Sequence, residues 1–430
     1  MGTVDVAYHM PRALVDDVSV HMARLTLTTV DAGYGTETIN AYKLSAEFLS
    51  VPRFYGLSHF GPPTTLQTSQ GDALIHLEFR GTLGDVQQRA LTSLEPTPES
   101  ATTPPFGGII VLPCGFGKTV TALAYACRMQ TRTLVVVAKT FLADQWEQQV
   151  QKFTNATVGR IQQNEFRVGE ITIALVQTLI AREYDLDAFG LVIFDECHHM
   201  AAKCFSAALW KLRAARILGL SATPERSDGL TQLLYWSMGD IKFRASRSAT
   251  EHMRVHQRVY DGAPVREVTG RDEKINLSAM VTLLAADRAR TLFVSGVVRD
   301  AVAEGHCVIV LSDRIAQLKA LHAMLEGLEV GFYIGATPAA ERRRVEAEAR
   351  VVLSSYSMAK EGLDIPRLSC LVMATPKSEV EQAVGRIQRP CAQKMTPLVE
   401  DIVDAYSIFS AMRWKRRRFF KAQGCAPVPL

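Results

Sequence analysis

Apolar residues fall into short runs along most of the chain, and the segments between the runs carry apolar positions at helical spacing. Residues 109–112, 133–138, 171–176, 191–194 and 215–220 are apolar runs of the length of buried strands. Between them, residues 119–129 and 202–212 read as helices, and Leu142, Trp146, Val150 and Phe153 fall on one helical face, a core stripe. A second series follows, with a long helical stretch at 277–303 and strands at 307–311, 330–334, 351–354, 370–374 and 398–403. Strands alternating with amphipathic helices from Gly81 onward predict α/β architecture with parallel sheets, and the equal rhythm of the two halves predicts two similar sheets. The order divides into a small α+β module at 1–80, an α/β domain at 81–240, a polar connection at 241–275 and a second α/β domain at 276–430. In the first of these, 25–30 and 73–79 read as short alternating runs, and its histidines are too dispersed for a ligand set.

Composition bounds this picture without changing it. With 430 residues, 47% hydrophobic and 21% charged, the chain can bury ample cores. No apolar run approaches the roughly 18 residues of a membrane span, and the first residues lack a basic-then-apolar leader pattern. Eight scattered cysteines without a CxxC pair point to reduced thiols, hence an intracellular compartment, and away from a zinc site. Net charge is +4, but residues 1–81 hold five Lys/Arg against eight Asp/Glu, so the remainder carries +7. A mildly basic body suits nucleic acid without requiring it.

Two stretches carry chemistry. The run at 109–112 is followed by Pro113-Cys114-Gly115-Phe116-Gly117-Lys118-Thr119 and a helical segment. Strand, glycine turn, Lys-Thr and helix form a phosphate cradle: turn N–H groups and the helix N-terminus hold phosphate oxygens, Lys118 reaches the terminal phosphates and the Thr119 hydroxyl ligates Mg2+. Leu112 stands where the usual pattern has its first glycine, and a tight turn that merely precedes Lys-Thr is the alternative reading. The second stretch is Leu191-Val-Ile-Phe-Asp195-Glu196-Cys197-His198-His199. At a strand tip, one carboxylate can hold magnesium through water while the next orients and deprotonates an attacking water. An acidic loop capping a strand is the plainer alternative.

Asp195-Glu196-Cys197-His198 resembles the DExH box of superfamily 2 helicases, and Ser221-Ala222-Thr223 resembles their SAT motif. Pro224-Glu-Arg-Ser-Asp-Gly229 is similar to the ATPxRxDG form of XPB-like and UvsW-like members. Residues 355–366 resemble motif V, and Glu381-Gln382-Ala-Val-Gly385-Arg386-Ile-Gln-Arg389 resembles the QxxGRxxR of motif VI. The motifs stand in family order from about Leu83 to Pro390, and residues 401–409 resemble helicases of large DNA viruses. The resemblance implies two RecA-like lobes in tandem, an ATPase using ATP and Mg2+, and a nucleic-acid partner, DNA before RNA, with 3′-to-5′ polarity. For a viral protein it implies the cytoplasm or nucleus of a host cell.

The same resemblance assigns the residues. Lys118, Asp195 and Glu196 serve hydrolysis from the first lobe, with Thr119 and Asp195 on the metal; from the second lobe Arg386 and Arg389 offset phosphoryl charge and Gln382 senses the γ-phosphate or water. Gln87, in Leu83-Gly84-Asp-Val86-Gln87, occupies the glutamine of the family's adenine-reading LRxYQ, with Val86 at the aromatic and Gly84 at the arginine. Pro113, Cys114, Gly115, Phe116, Gly117, Gly362 and Asp364 would line the nucleotide, Asp364 at the ribose edge. His198, Ser221 and Thr223 would couple nucleotide state to nucleic acid. Thr140, Gln177, Thr178, Ser312 and Ser355 would meet the nucleic-acid backbone; strand-end capping is the alternative for each.

The run Arg413-Trp-Lys-Arg-Arg-Arg-Phe-Phe-Lys421 puts six basic residues in nine with three aromatics interleaved. Cations with rings suit a single strand or a duplex end; a solvated helix face or a localisation signal is an equal alternative. The leading reading is an ATP-dependent helicase or translocase. A motor for annealing, branch migration or transcript release is the second, and a nucleotide-gated binding module without motor action the third.

Overall fold

The computed structural model describes the chain except residues 1, 32–34, 96–105, 114, 201, 223–229, 246–252, 271–272, 362, 364, 390, 392–393 and 430. The chain divides into two compact units, Met1–Ser246 and Arg247–Leu430.

Each unit is built on a mainly parallel sheet covered by helices, the RecA-like architecture expected. Among the described residues the first sheet has eight strands in the order Glu165–Arg167, Val158–Gln162, Ile171–Leu175, Thr133–Val137, Leu191–Phe194, Arg216–Ser221, Phe106–Val111 and Ile241–Arg244. Its central strands are buried along their whole length, which is why they read as unbroken apolar runs instead of alternating ones. Leu142, Trp146 and Val150 of the helix Thr140–Phe153 pack into the core on one side, as their spacing predicts. The hairpin Val158–Gln162/Glu165–Arg167 does not announce itself in the sequence, because its outer strand is three residues long and exposed.

The N-terminal module is present but shares its core with the first sheet. Among the described residues it forms a five-stranded sheet, and Tyr8, Leu49, Val51 and Tyr55 join one apolar cluster with Ile109, Leu233 and Met238. Arg53 is buried at this junction, where its guanidinium donates to Ala214 O at 2.6 Å and Leu212 O at 2.8 Å. The run at 73–79 is not a strand: it is held by isolated bridges, Ala73 to Thr131 and Phe79 to Thr154, by Gln130 and Asn155, which bond its backbone, and by Leu74 and Leu77 packed on Cys127, and it leaves Ile75 exposed. Just before it the backbones of Gly71 and Gly190 meet so closely that a Cβ on Gly71 would lie 2.1 Å from Gly190 N, and Gly71 has φ +69.

In the second unit the described strands run Val330–Tyr333, Val351–Ser354, Val308–Leu311, Cys370–Met373, Leu398–Asp404, Arg254–Tyr260 and Val428–Pro429. The stretch 241–275, read from sequence as a connection, holds one strand of each sheet: Ile241–Arg244 pairs with Phe106–Val111, and Arg254–Tyr260 with Leu398–Asp404. The latter strand hides because its middle residues are polar and pair with the neighbouring strand instead of being apolar. Arg258 and His256 both bond Glu400, at 2.7 and 2.9 Å, and Gln257 bonds Asp401. The long helical stretch is two helices, Leu277–Ala286 and Arg288–Ala303, broken at Asp287, whose carboxylate caps the second by accepting the N–H of Arg290. Among the described residues no helix is long and apolar enough to cross a membrane.

Candidate nucleotide-binding and hydrolysis site

The strand Phe106–Val111 ends at Leu112, whose N–H is held by Ser221 O at 3.0 Å. The chain then turns through Gly115 (φ +88) and Gly117 (φ +77) into the helix Lys118–Met129. Gly117 is constrained twice: its φ suits glycine, and a Cβ there would lie 2.1 Å from Gln87 Nε2. That contact places Gln87 beside the cradle. Its amide donates to Phe116 O at 3.3 Å and its Oε1 accepts Gly84 N–H at 2.8 Å, so it ties the entry of the helix Asp85–Thr92 to the glycine turn. The turn closes on itself through Phe116 N–H to Pro113 O at 3.1 Å. Lys118 and Thr119 open the helix, where backbone N–H groups lack intrahelical acceptors.

The acidic pair stands beside the cradle. Asp195 leaves the buried strand Leu191–Phe194 and donates its N–H to Val136 O at 3.1 Å. Glu196 follows with φ +44, a left-handed conformation unusual for a side-chain-bearing residue, and its carboxylate lies 3.2 Å from Lys118 Nζ. Lys118 also donates to Leu112 O at 3.3 Å. Asp195 is buried, with Oδ2 accepting Trp146 Nε1–H at 2.8 Å and Oδ1 accepting Glu196 N–H at 3.0 Å. Burial, and next the neighbouring Glu196 charge, push the Asp195 carboxyl up to about 6, against the pull of Trp146 and Lys118. His198 Nδ1 lies 2.9 Å from Ser221 Oγ and 3.6 Å from Glu196 Oε2, so one imidazole links the acidic strand tip to the end of the strand Arg216–Ser221.

In the second unit, Gln382 and Arg386 sit on the helix Glu381–Ile387 and are buried, and Arg389 follows its end half-exposed. Arg386 Nε donates to Ala359 O at 2.6 Å, which joins the motif VI helix to the motif V helix Tyr356–Glu361. Cys114, Thr223, Gly362 and Asp364 lie outside the described residues, as does the run 224–229.

Comparison with known proteins places this geometry in a family. Residues 80–226 match the family described as Type III restriction enzyme, res subunit, and residues 291–391 match the Helicase conserved C-terminal domain. The chain is 30% identical over 441 residues to protein L396 of Acanthamoeba polyphaga mimivirus, whose name describes an ATP-dependent RNA helicase; the match spans 97% of this chain and 84% of that one. The chain belongs to the superfamily 2 helicases. It is also 37% identical over 140 residues, 32% of each chain, to the DNA 3′-5′ translocase XPB2 of Sulfurisphaera tokodaii. In fold it resembles S. cerevisiae Dbp5 solved with RNA and ADP BeF3, with a TM-score of 0.54 at 16% identity over 81% of this chain and 90% of that one. The protein is an ATP-dependent, ATP-hydrolysing nucleic-acid helicase or translocase.

In this helicase the residues expected along a nucleic-acid track divide by exposure. Thr140 and Gln177 are exposed at the starts of their helices, and Ser355 is half-buried, its hydroxyl 3.0 Å from that of Ser357. Ser312 differs from these. It is fully buried, donates to Gln317 Oε1 at 2.7 Å and accepts Arg314 N–H at 3.1 Å, so it closes the strand end onto the helix Ile315–Met324, the strand-end capping that is its alternative reading. Thr178 is nearly as enclosed, its Oγ1 accepting Gln163 N–H at 3.2 Å. Arg416, read from sequence as part of a basic contact run, is likewise buried and paired with Asp401 at 2.8 Å.

Trp146 is the residue that sequence reasoning missed. Its spacing marks it as core, and it is 2% exposed, yet its indole N–H ends on the acidic strand tip. The signal that could have found it is chemical: a buried indole N–H needs an acceptor, and a carboxylate at a neighbouring strand tip supplies one.

Proposed function

We propose that this helicase binds ATP–Mg2+ on the cradle 113–119 and uses hydrolysis to move along DNA in the 3′-to-5′ direction. The observation that carries this reading is the Lys118–Glu196 contact at 3.2 Å, which brings the cradle lysine and the second acid of the strand tip to one point. Residues 81–240 act as the ATP-binding domain, residues 276–430 as the C-terminal helicase domain, and 1–80 as a module carried by the first.

Lys118 binds the terminal phosphates, and helix-start N–H groups assist it. Glu196 accepts the proton of the attacking water, and its left-handed backbone aims the carboxylate at the lysine. Magnesium fits the donor set: Asp195 uses one lone pair of each oxygen on Glu196 N–H and Trp146 N–H, leaving the others for metal-bound water, and Thr119 supplies a hydroxyl oxygen. When bound, the ion neutralises charge on the β- and γ-phosphates. Gln87, with Pro113, Cys114, Gly115, Phe116, Gly117, Gly362 and Asp364, positions the nucleotide. Gln382, Arg386 and Arg389 respond to the transferring phosphoryl group. His198, bonded to Ser221, passes nucleotide state to the strand end and, with Thr223, to Thr140, Gln177 and Ser355 on the track.

DNA is favoured by the 37% identity to the DNA translocase, and RNA, the second reading, by the name of the mimivirus relative. A reducing compartment, the host cytoplasm or nucleus for a viral protein, agrees with free cysteines at 127, 197, 204, 307, 370, 391 and 425. Arg389→Ala tests the assignment. ATP turnover should fall by about 10³-fold or more while nucleotide binding persists, and turnover near the wild-type rate would remove Arg389 from the chemistry.

A further inference from the structure

The C-terminal basic run is divided by the fold into an anchor and a ridge. From residue 405 to residue 430 the chain holds six Lys/Arg and no Asp or Glu. The helix Ser407–Ala422 turns Phe409, Met412, Arg416 and Phe420 inward. Arg416 Nε donates to Asp401 Oδ1 at 2.8 Å and Nη1 to Lys377 O at 2.9 Å, so this guanidinium serves the interior.

At 3.6 residues per turn, positions 414, 417, 418 and 421 fall on the opposite side. They are Trp414, Arg417, Arg418 and Lys421, all exposed, with Trp414 at 55%. The Arg417 guanidinium stands 5.2 Å from the Trp414 ring centroid. Among the described residues no carboxylate is within ion-pair distance of Arg417, Arg418 or Lys421. The base under this ridge is fixed at both ends. The helix begins three residues after the wholly buried strand Leu398–Asp404, and beyond Gly424 (φ +74) the strand Val428–Pro429 pairs with His256 and Gln257.

We propose that Trp414, Arg417, Arg418 and Lys421 form a contact for single-stranded nucleic acid, the three cations meeting phosphates and the indole stacking on a base. This rests on reading the chain as a nucleic-acid motor. Three cations without a local counter-charge match a polyanion, and in a nucleic acid an exposed ring finds a base face to stack on only where bases are unpaired. A protein partner would need both an acidic patch and an apolar pocket for the indole, whereas a single strand supplies phosphate and ring face in every nucleotide. Because the ridge stands on a helix pinned by Arg416, its side chains are presented on a rigid support and lose little backbone freedom on binding.

The test is equilibrium binding of the full chain to labelled oligo(dT), oligo(U) and a duplex of equal length across a salt series. For Arg417→Ala/Arg418→Ala/Lys421→Ala, single-strand affinity should drop about tenfold at low salt, and the slope of log K against log[salt] should flatten by about 2, from roughly 0.7 per lost cation. Trp414→Ala should lower single-strand affinity about fivefold or more and leave the slope unchanged. Loss on oligo(dT) or oligo(U) alone identifies which nucleic acid uses the ridge. Unchanged affinity and slope in the triple variant, while single strands still stimulate wild-type ATP hydrolysis, would overturn the ridge and leave the motor standing. A wild-type protein that binds none of the three probes would overturn both.

Discussion

At Asp195 a single carboxylate is held by two N–H groups from different parts of the chain, Glu196 from its own turn and Trp146 from a helix. A hydrogen bond to a buried charge contributes roughly 1.5–3 kcal/mol, and two of them from different directions fix the rotation of the carboxylate and the direction of its remaining lone pairs. Trp146→Phe keeps an aromatic ring and deletes the donor together with the pyrrole half of the indole. Turnover of the folded protein should fall by about tenfold or more, the equivalent of about 1.5 kcal/mol, with melting lowered by the cavity but the protein still folded, as read by steady-state hydrolysis beside a thermal scan. Wild-type turnover would mean that the N–H does not orient the carboxylate. The stripe Leu142, Trp146, Val150 was legible as core and is core; the reach of the indole was not, because periodicity reports which face is buried and not where a polar tip ends. Ser312 shows the converse. A serine at a strand end looks ready for phosphate, but whether it meets solvent depends on Gln317, five residues on, turning back to accept its proton.

Elements in the second unit show how charge can be built into a core. The strand Leu398–Asp404 is buried along its length yet carries Glu400, Asp401 and Asp404. Each has a cation from another element: Arg258 for Glu400, Arg416 for Asp401, and Arg290 for Asp404 at 2.7 Å. Burial holds the Asp401 carboxyl above the usual carboxylate range even with Arg416 beside it, so desolvation outweighs the ion pair, and removing one partner leaves an uncompensated charge. Arg416→Ala should therefore destabilise by about 3–5 kcal/mol in urea denaturation, whereas Arg417→Ala should change stability by less than about 0.5 kcal/mol. Equal effects would place both on the surface. This pairing explains what the sequence concealed. Apolar runs such as Leu191–Phe194 announce buried strands directly, but Arg254–Tyr260 is only partly buried and is held by paired polar side chains, and a single chain read in order does not reveal which charges will meet. The basic run hid its division for the same reason, since only the fold says which arginine faces Asp401.

At the scale of the whole molecule, two mainly parallel sheets were legible from the alternation of runs and helices, and the ordered motifs carried the family. The N-terminal module was legible as a change of rhythm but not as a partner in the core of the first unit. Arg53 explains its attachment. Burial lowers its guanidinium to about 10, still charged at neutral pH, and it satisfies the carbonyls of Leu212 and Ala214, for which no other donor stands among the described contacts. Arg53→Met should cost roughly 2–4 kcal/mol by leaving those carbonyls without a donor, seen as a lower urea midpoint for the whole chain. An unchanged midpoint would mean that apolar packing alone fixes the module. The central claim is narrower: one cradle, opened by Lys118 and faced by Glu196, hydrolyses ATP in response to nucleic acid. It is tested most directly by steady-state ATP hydrolysis of the wild type and Lys118→Ala, each with and without single-stranded DNA. The account predicts that DNA raises the wild-type rate and that Lys118→Ala stays at background in both conditions; a Lys118→Ala protein that hydrolyses ATP at the wild-type rate would contradict it.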